Sequence, residues 1–284
     1  MKTTNKIIKY FAVALAVFLI ITIFSSIAYG IYGIAQIFEM SFNIGSSFDD
    51  DPGFENAEEF NSETFDEALI KSIVIDITGI NLIIRNGDEL KAETDSDNVY
   101  YKVNGSSLRI IEKRKSWFGR DNSEKIVLYI PVDSVFQNID ISAGAGKIEA
   151  EEIDCEHFNL DVGAGKAYIG KLNVSGKSVM EVGAGKIEVS FGNINGLDLQ
   201  VGTGKADVKA AITGKADVEV GIGSIDFHLI GTDDDYMISA EKGLGNISVD
   251  GQQLDDDDHF GSGGIKVDVE SGIGSINVDF VTED

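Results

Sequence analysis

Seven times along this chain two glycines flank one residue and are followed by a polar side chain. The copies are Gly144-Ala-Gly146-Lys147, Gly163-Ala-Gly165-Lys166, Gly183-Ala-Gly185-Lys186 and Gly202-Thr-Gly204-Lys205, then Gly221-Ile-Gly223-Ser224, Gly243-Leu-Gly245-Asn246 and Gly272-Ile-Gly274-Ser275. Glycines before a lysine are the raw material of a phosphate cradle. A P-loop, however, also needs a glycine five residues before its Gly-Lys pair and Ser or Thr after the lysine. Those positions hold Leu160 and Ala167 in one copy and Met180 and Ile187 in another. A dinucleotide fingerprint needs a third glycine opening a helix, and none is present. Seven copies argue for a structural role.

Other chemistry is equally thin. His157, His228 and His259 lack metal-ligand spacing, and Cys155 is the only cysteine, so neither a zinc site nor an intramolecular disulfide is expected. No Gly-x-Ser-x-Gly motif occurs, and no arginine follows Ile139 to complete the carboxylate-arginine groove of a carbohydrate-cleaving β-helix. That enzyme class is the weakest reading, and no catalytic residue and no cofactor are expected. Asp233–Asp235 and Asp255–Asp258 make calcium the one cofactor worth naming, although they lack the EF-hand spacing; solvated acidic loops are the preferred reading. One basic, aromatic segment stands apart: Lys113, Arg114, Lys115, Trp117, Phe118 and Arg120. It is either an interaction loop for an anionic surface or partner, or a hairpin loop whose tryptophan folds back on the core; the second is preferred.

The elements that would position these residues are strands. The steps between first glycines are 19, 20, 19, 19, 22 and 29, a period near 20 that marks a solenoid with insertions. Both flanks of each copy alternate with period 2, as in Leu160-Asp161-Val162 and Ile187-Glu188-Val189. Each repeat is expected to run strand, Gly-x-Gly corner, strand, return. The glycines would permit positive φ or close backbone approach. The fold class expected is an all-β, single-stranded parallel β-solenoid of about 20-residue coils, preceded by one transmembrane α-helix. Stacking would align Lys147, Lys166, Lys186 and Lys205 in one column. Acidic columns would flank it: Asp161, Glu181 and Glu219 on one side, Glu149, Glu188, Asp207 and Asp226 on the other. Ile75–Leu82 reads as a repeat with one glycine, and 98–103, 107–112 and 125–130 as further strands of an irregular, capped beginning.

The chain has 284 residues and a net charge of -25. All 48 acids lie from Glu39 onward, whereas Lys2, Lys6 and Lys9 precede them. That balance excludes nucleic acid as a partner and suits a basic one or a divalent cation. No charged residue occurs from Phe11 through Phe38, long enough to cross a bilayer, and the lysines place the N-terminus inside. An uncleaved anchor is preferred to a signal peptide cut near Ser26-Ile27-Ala28. The organisation expected is a cytoplasmic tail (1–9), a transmembrane helix (10–36), an acidic spacer (37–70) and the solenoid (71–284). The protein would sit in the cell membrane as a single-pass protein with its bulk outside the cytoplasm.

The glycine repeats resemble the bacterial putative-adhesin family, a domain of unknown function. So do the strands Leu108-Arg-Ile110 and Val127-Leu-Tyr-Ile-Pro131 and the closing Gly272-Ile-Gly274-Ser-Ile-Asn-Val278. The resemblance covers roughly residues 70–284. Family members usually carry Gly-Ser-Gly-Asp where this chain has Gly-Ala-Gly-Lys, so any binding property of that acidic position does not carry over. The resemblance implies a β-solenoid, often tethered at the cell envelope, with no catalytic residues. The reading is an adhesin-like interaction or scaffold module whose partner is an envelope protein, a wall polymer or another copy. An accessory role in envelope-stress regulation is the alternative. The oligomeric state stays open.

Overall fold

The computed structural model describes residues 61–113 and 124–282. The expected transmembrane segment, most of the acidic spacer, and Arg114, Lys115, Trp117, Phe118 and Arg120 lie outside them. Among the described residues there is no helix at all, hence none able to cross a membrane.

The described chain is all-β and solenoid-like. Alternation does the work: in strand Ser72–Ile77 the residues Ile73, Ile75 and Ile77 are buried while Val74 and Asp76 face outward. The same inside-outside pattern repeats in every coil and yields one continuous aliphatic core. One inward column runs Ile110, Ile75, Ile141, Leu160, Met180, Leu199, Val218, Val269 and Ala240 from coil to coil. Each coil contributes a strand before the Gly-x-Gly corner to a first face and a strand after it to a second face. The long strands Lys147–Val162 and Lys166–Val182 bend to add a third, short face through Ile153-Cys155 and Leu172-Val174. Cys155 belongs to that core.

The stack does not follow chain order. Strand Ser72–Ile77 pairs with Phe136–Ala143 on one side and Ser107–Glu112 on the other, so the first coil is the second layer. At the other end Ile265–Ser271 inserts between Ala216–Val220 and Tyr236–Lys242. Likewise Ser275–Val281 lies between Ser224–Ile230 and Asn246–Val249. The sequential stack expected from the repeats is therefore corrected at both ends. The order of corners is 78–80, 144–146, 163–165, 183–185, 202–204, 221–223, 272–274 and 243–245.

Antiparallel strands close the ends, where a bare edge would invite pairing with another chain. Val99–Asn104 covers Ser107–Glu112 through a turn at Gly105, and Lys91–Thr94 covers Lys125–Pro131. Gln252–Leu254 folds onto Asn246–Val249 through Asp250-Gly251, both with positive φ, as a tight hairpin requires. Residues 61–70, read from the sequence as the end of the spacer, belong to this cap. Strand Asn61–Thr64 pairs with Lys91–Thr94, and Phe65 and Ile70 are buried. Their apolar side chains recur at a spacing that fits neither helix nor strand, so their burial was not legible locally.

Candidate functional site

The corner glycines are required for closeness. None of the fourteen has a positive φ. A Cβ on Gly165, Gly185, Gly204 or Gly223 would lie 2.0–2.3 Å from the carbonyl oxygen of the second glycine in the preceding coil. At Gly274 and Gly245 that distance is 2.4 Å. The first glycines are packed only slightly less tightly, at 2.7–3.1 Å from the carbonyl beneath. The corners are thus a hydrogen-bonded ladder in their own right. The middle residue's N–H donates to the first glycine's carbonyl one layer down, as from Ala164 to Gly144 (2.7 Å) and Ile273 to Gly221 (2.7 Å). At the first corner Thr78 and Ile80 stand where later coils carry glycine. The N–H groups of Thr78, Gly79 and Ile80 there donate to Glu112 Oε2 at 2.7, 3.0 and 3.4 Å. A buried carboxylate terminates the corner ladder.

With the corner fixed, the outward side chains fall into columns. Lys147, Lys166, Lys186 and Lys205 are in register, and the column continues as Ser224, Ser275 and Asn246. The neighbouring column holds Glu149, Tyr168, Glu188, Asp207 and Asp226. The lysine charges are satisfied across these columns: Lys147 by Glu149, Lys186 by Glu188, and Lys205 by Asp226 at 2.6 Å. Lys166, whose second neighbour is Tyr168, makes no ion pair among the described residues.

The first face is different. Asp198, Asp217 and Asp268 form one outward column, and Lys177 and Lys215 contact it, with Lys215 2.9 Å from Asp268. Beside it, along the corner, runs Asp161, Glu181, Gln200, Glu219, Glu270 and Glu241. None of its five carboxylates makes an ion pair among the described residues. Partial burial, then the charges of Asp161 and Asp198, raise Glu181 to about 7. Glu219, an exposed residue, is also held up, first by partial desolvation and then by Glu270, Asp198 and Asp217. Asp161 is raised by burial alone. A rigid ladder holds like charges about 4.8 Å apart, where they cannot relax away from one another.

On the third face an open groove of about 570 Å³ runs past Asp154, Asn173, Asn193, Ser175, Asn195 and Thr213. Its amides are partly engaged: Asn173 Nδ2 donates to Asp154 Oδ1 (2.6 Å) and Asn193 Nδ2 to Asn173 Oδ1 (3.3 Å). Cys155 in its floor is buried, and burial pushes its thiol well above the ordinary range, which disfavours the reactive thiolate.

The acidic insertions are occupied by their own turns. Asp235 Oδ2 accepts from Thr232 N and Oγ1, Asp258 Oδ2 from Asp255 N, and Asp255 Oδ1 from Lys242 Nζ at 2.8 Å. Among the described residues no three His, Cys, Asp or Glu side chains are placed to hold a metal. Of the basic segment only Lys113 is described; its Nζ sits 5.2 Å from the Tyr100 ring centroid.

Residues 70–283 match the family model described as Toastrack DUF4097. No curated protein matches the chain. Several solved structures are similar, among them these three. A putative cell adhesion protein from Clostridium sporogenes shares 16% identity over 78% of this chain and 99% of its own, with a TM-score of 0.38. A putative adhesin from Parabacteroides distasonis shares 16% over 78% and 97%, at 0.46. A putative lipid binding protein from the same organism shares 15% over 78% and 98%, at 0.44.

Proposed function

The chain belongs to the Toastrack family, and on that premise we propose that it is an adhesin-like interaction module of the bacterial cell envelope, tethered by its apolar segment 10–36 with the body outside the cytoplasm. The tether and its orientation are supported by the uncharged run from Phe11 to Phe38 and the lysines before it. The interaction reading is carried by one observation: the corner-side carboxylates Asp161, Glu181, Glu219, Glu270 and Glu241 stand in one column, broken only by Gln200, and make no ion pair among the described residues. Folding alone does not call for such a column, since like charges aligned across strands are destabilising. A cationic partner laid along the axis relieves it.

The test is cross-linking in intact cells of the full chain, of a chain lacking residues 1–36, and of a chain with all five carboxylates changed to the corresponding amides. One defined partner recovered with the full chain, lost from the amide variant and from the anchorless chain, is the expected result. Equal recovery by the full chain and the amide variant overturns the acidic column as the site.

A further inference from the structure

The middle residue of the corner changes character along the stack. In the order of the layers it reads Ala145, Ala164, Ala184, Thr203, Ile222, Ile273 and Leu244. The last three are large, aliphatic and open to solvent, at 46%, 48% and 79% exposure. Chain order hides their adjacency: Ile273 lies between Ile222 and Leu244 because the last coil is tucked inside. Its N–H donates to Gly221 O, and that of Leu244 to Gly272 O. The flanks change in the same three coils. The lysine column is replaced by Ser224, Ser275 and Asn246, while the other side keeps the exposed Glu219, Glu270 and Glu241, which make no ion pair among the described residues.

From this juxtaposition we infer that the Ile222-Ile273-Leu244 stripe is a docking edge for a basic amphipathic helix of a partner protein, its apolar stripe on the three aliphatic residues and its cations against Glu219, Glu270 and Glu241. Spacing selects the helix. Layers about 4.8 Å apart put the outer two stripe residues roughly 10 Å apart. Two helical turns cover about 11 Å, whereas two same-face steps of an extended strand cover about 13 Å. Charge selects its sign, since the carboxylates on one flank have no cation among the described residues and the other flank is lined by Ser224, Ser275 and Asn246. The first four coils hold the same partner less well, because alanine or threonine offers little apolar area and the adjoining lysines, most of them already paired with carboxylates, add no attraction for a cation. This inference rests on the reading of the body as an interaction module and names the chemistry of the partner.

The experiment measures fluorescence anisotropy of a labelled 14-residue amphipathic helix of leucine and lysine, titrated with the full chain in zwitterionic nanodiscs and with empty nanodiscs as blank. A scrambled peptide of equal composition controls for charge. Ile222→Ser, Ile273→Ser and Leu244→Ser are combined in one variant; all three side chains are exposed, and an unchanged melting temperature verifies the fold. Binding weakened at least tenfold both by the triple variant and by scrambling is expected. Equal affinity of the triple variant or of the scrambled peptide overturns the stripe while leaving the acidic column's attraction for cations standing. No saturable binding of the amphipathic peptide to the wild-type chain overturns the stripe as well. Cross-linking unaffected by the amide variant is the separate result that defeats the column.

Discussion

At the scale of single residues the molecule is governed by what can fit between layers. Gly185 has no room for a methyl group: its Cβ would stand 2.1 Å from Gly165 O, and the obstacle is backbone that is itself bonded to the next layer. Gly185→Ala is expected to cost about 3 kcal/mol in chemical denaturation, the upper end of the usual range for overpacked cores. Ala184→Ser, one position away on the exposed corner, should leave the midpoint within about 0.5 kcal/mol. Glu112 is the second such residue, since three N–H groups converge on one of its oxygens. Glu112→Ala should cost about 2–3 kcal/mol by orphaning those donors, and Glu112→Gln visibly less because its amide oxygen still accepts. Equal losses in the two variants would mean that packing rather than acceptance matters.

At the scale of elements the tucked terminal coils alter how the body comes apart. In a sequential solenoid, removing the last repeat costs one interface and leaves the rest capped by its neighbour. Here Ile265–Ser271 and Ser275–Val281 hold Tyr236–Lys242 and Asn246–Val249 against the stack, so those strands lose their parallel partners together. The aromatic packing of Phe280 with Tyr236 and Phe260 goes with them. Deleting residues 265–284 is therefore expected to expose the whole stretch from about 231 to 260 to protease, and limited proteolysis with mass spectrometry reads this directly. Protection retained over 236–249 would show that these strands hold without the terminal coil.

At the scale of the whole molecule the net charge of -25 is organised into ladders. Glu181, raised to about 7 in the folded protein, binds its proton more tightly there than in the unfolded chain. The native state then carries more protons, so stability falls as pH rises from about 4.5 to about 7 and levels off above. The melting temperature should be higher at pH 5 than at pH 7.5, and Glu181→Gln should reduce that difference. An unchanged pH profile in Glu181→Gln would place the effect elsewhere on the first face. Asp226 acts in a lower window: burial notwithstanding, Lys205 and Asn277 hold it below its usual range, so its contribution is constant from about pH 5 to 7.5 and is lost only as pH falls below the ordinary carboxylate range.

The repeats by themselves determined the coil, the corner and the charge columns. Period-2 alternation leaves only one way to bury the apolar side chains, and the recurring Gly-x-Gly pins the register in which Lys147, Lys166, Lys186 and Lys205 align. The tertiary structure alone decided the order of the layers, and with it the Ile222-Ile273-Leu244 stripe and the membership of 61–70 in the cap. The reason is physical. One Gly-x-Gly corner stacks on any other with nearly the same contacts, so local sequence is almost indifferent to which coil follows which. The choice is made by the ends, where a terminal strand held between two layers keeps both its hydrogen-bonding edges satisfied. The one trace left in the sequence is length: the steps of 22 and 29 supply the residues needed to climb past a layer and return.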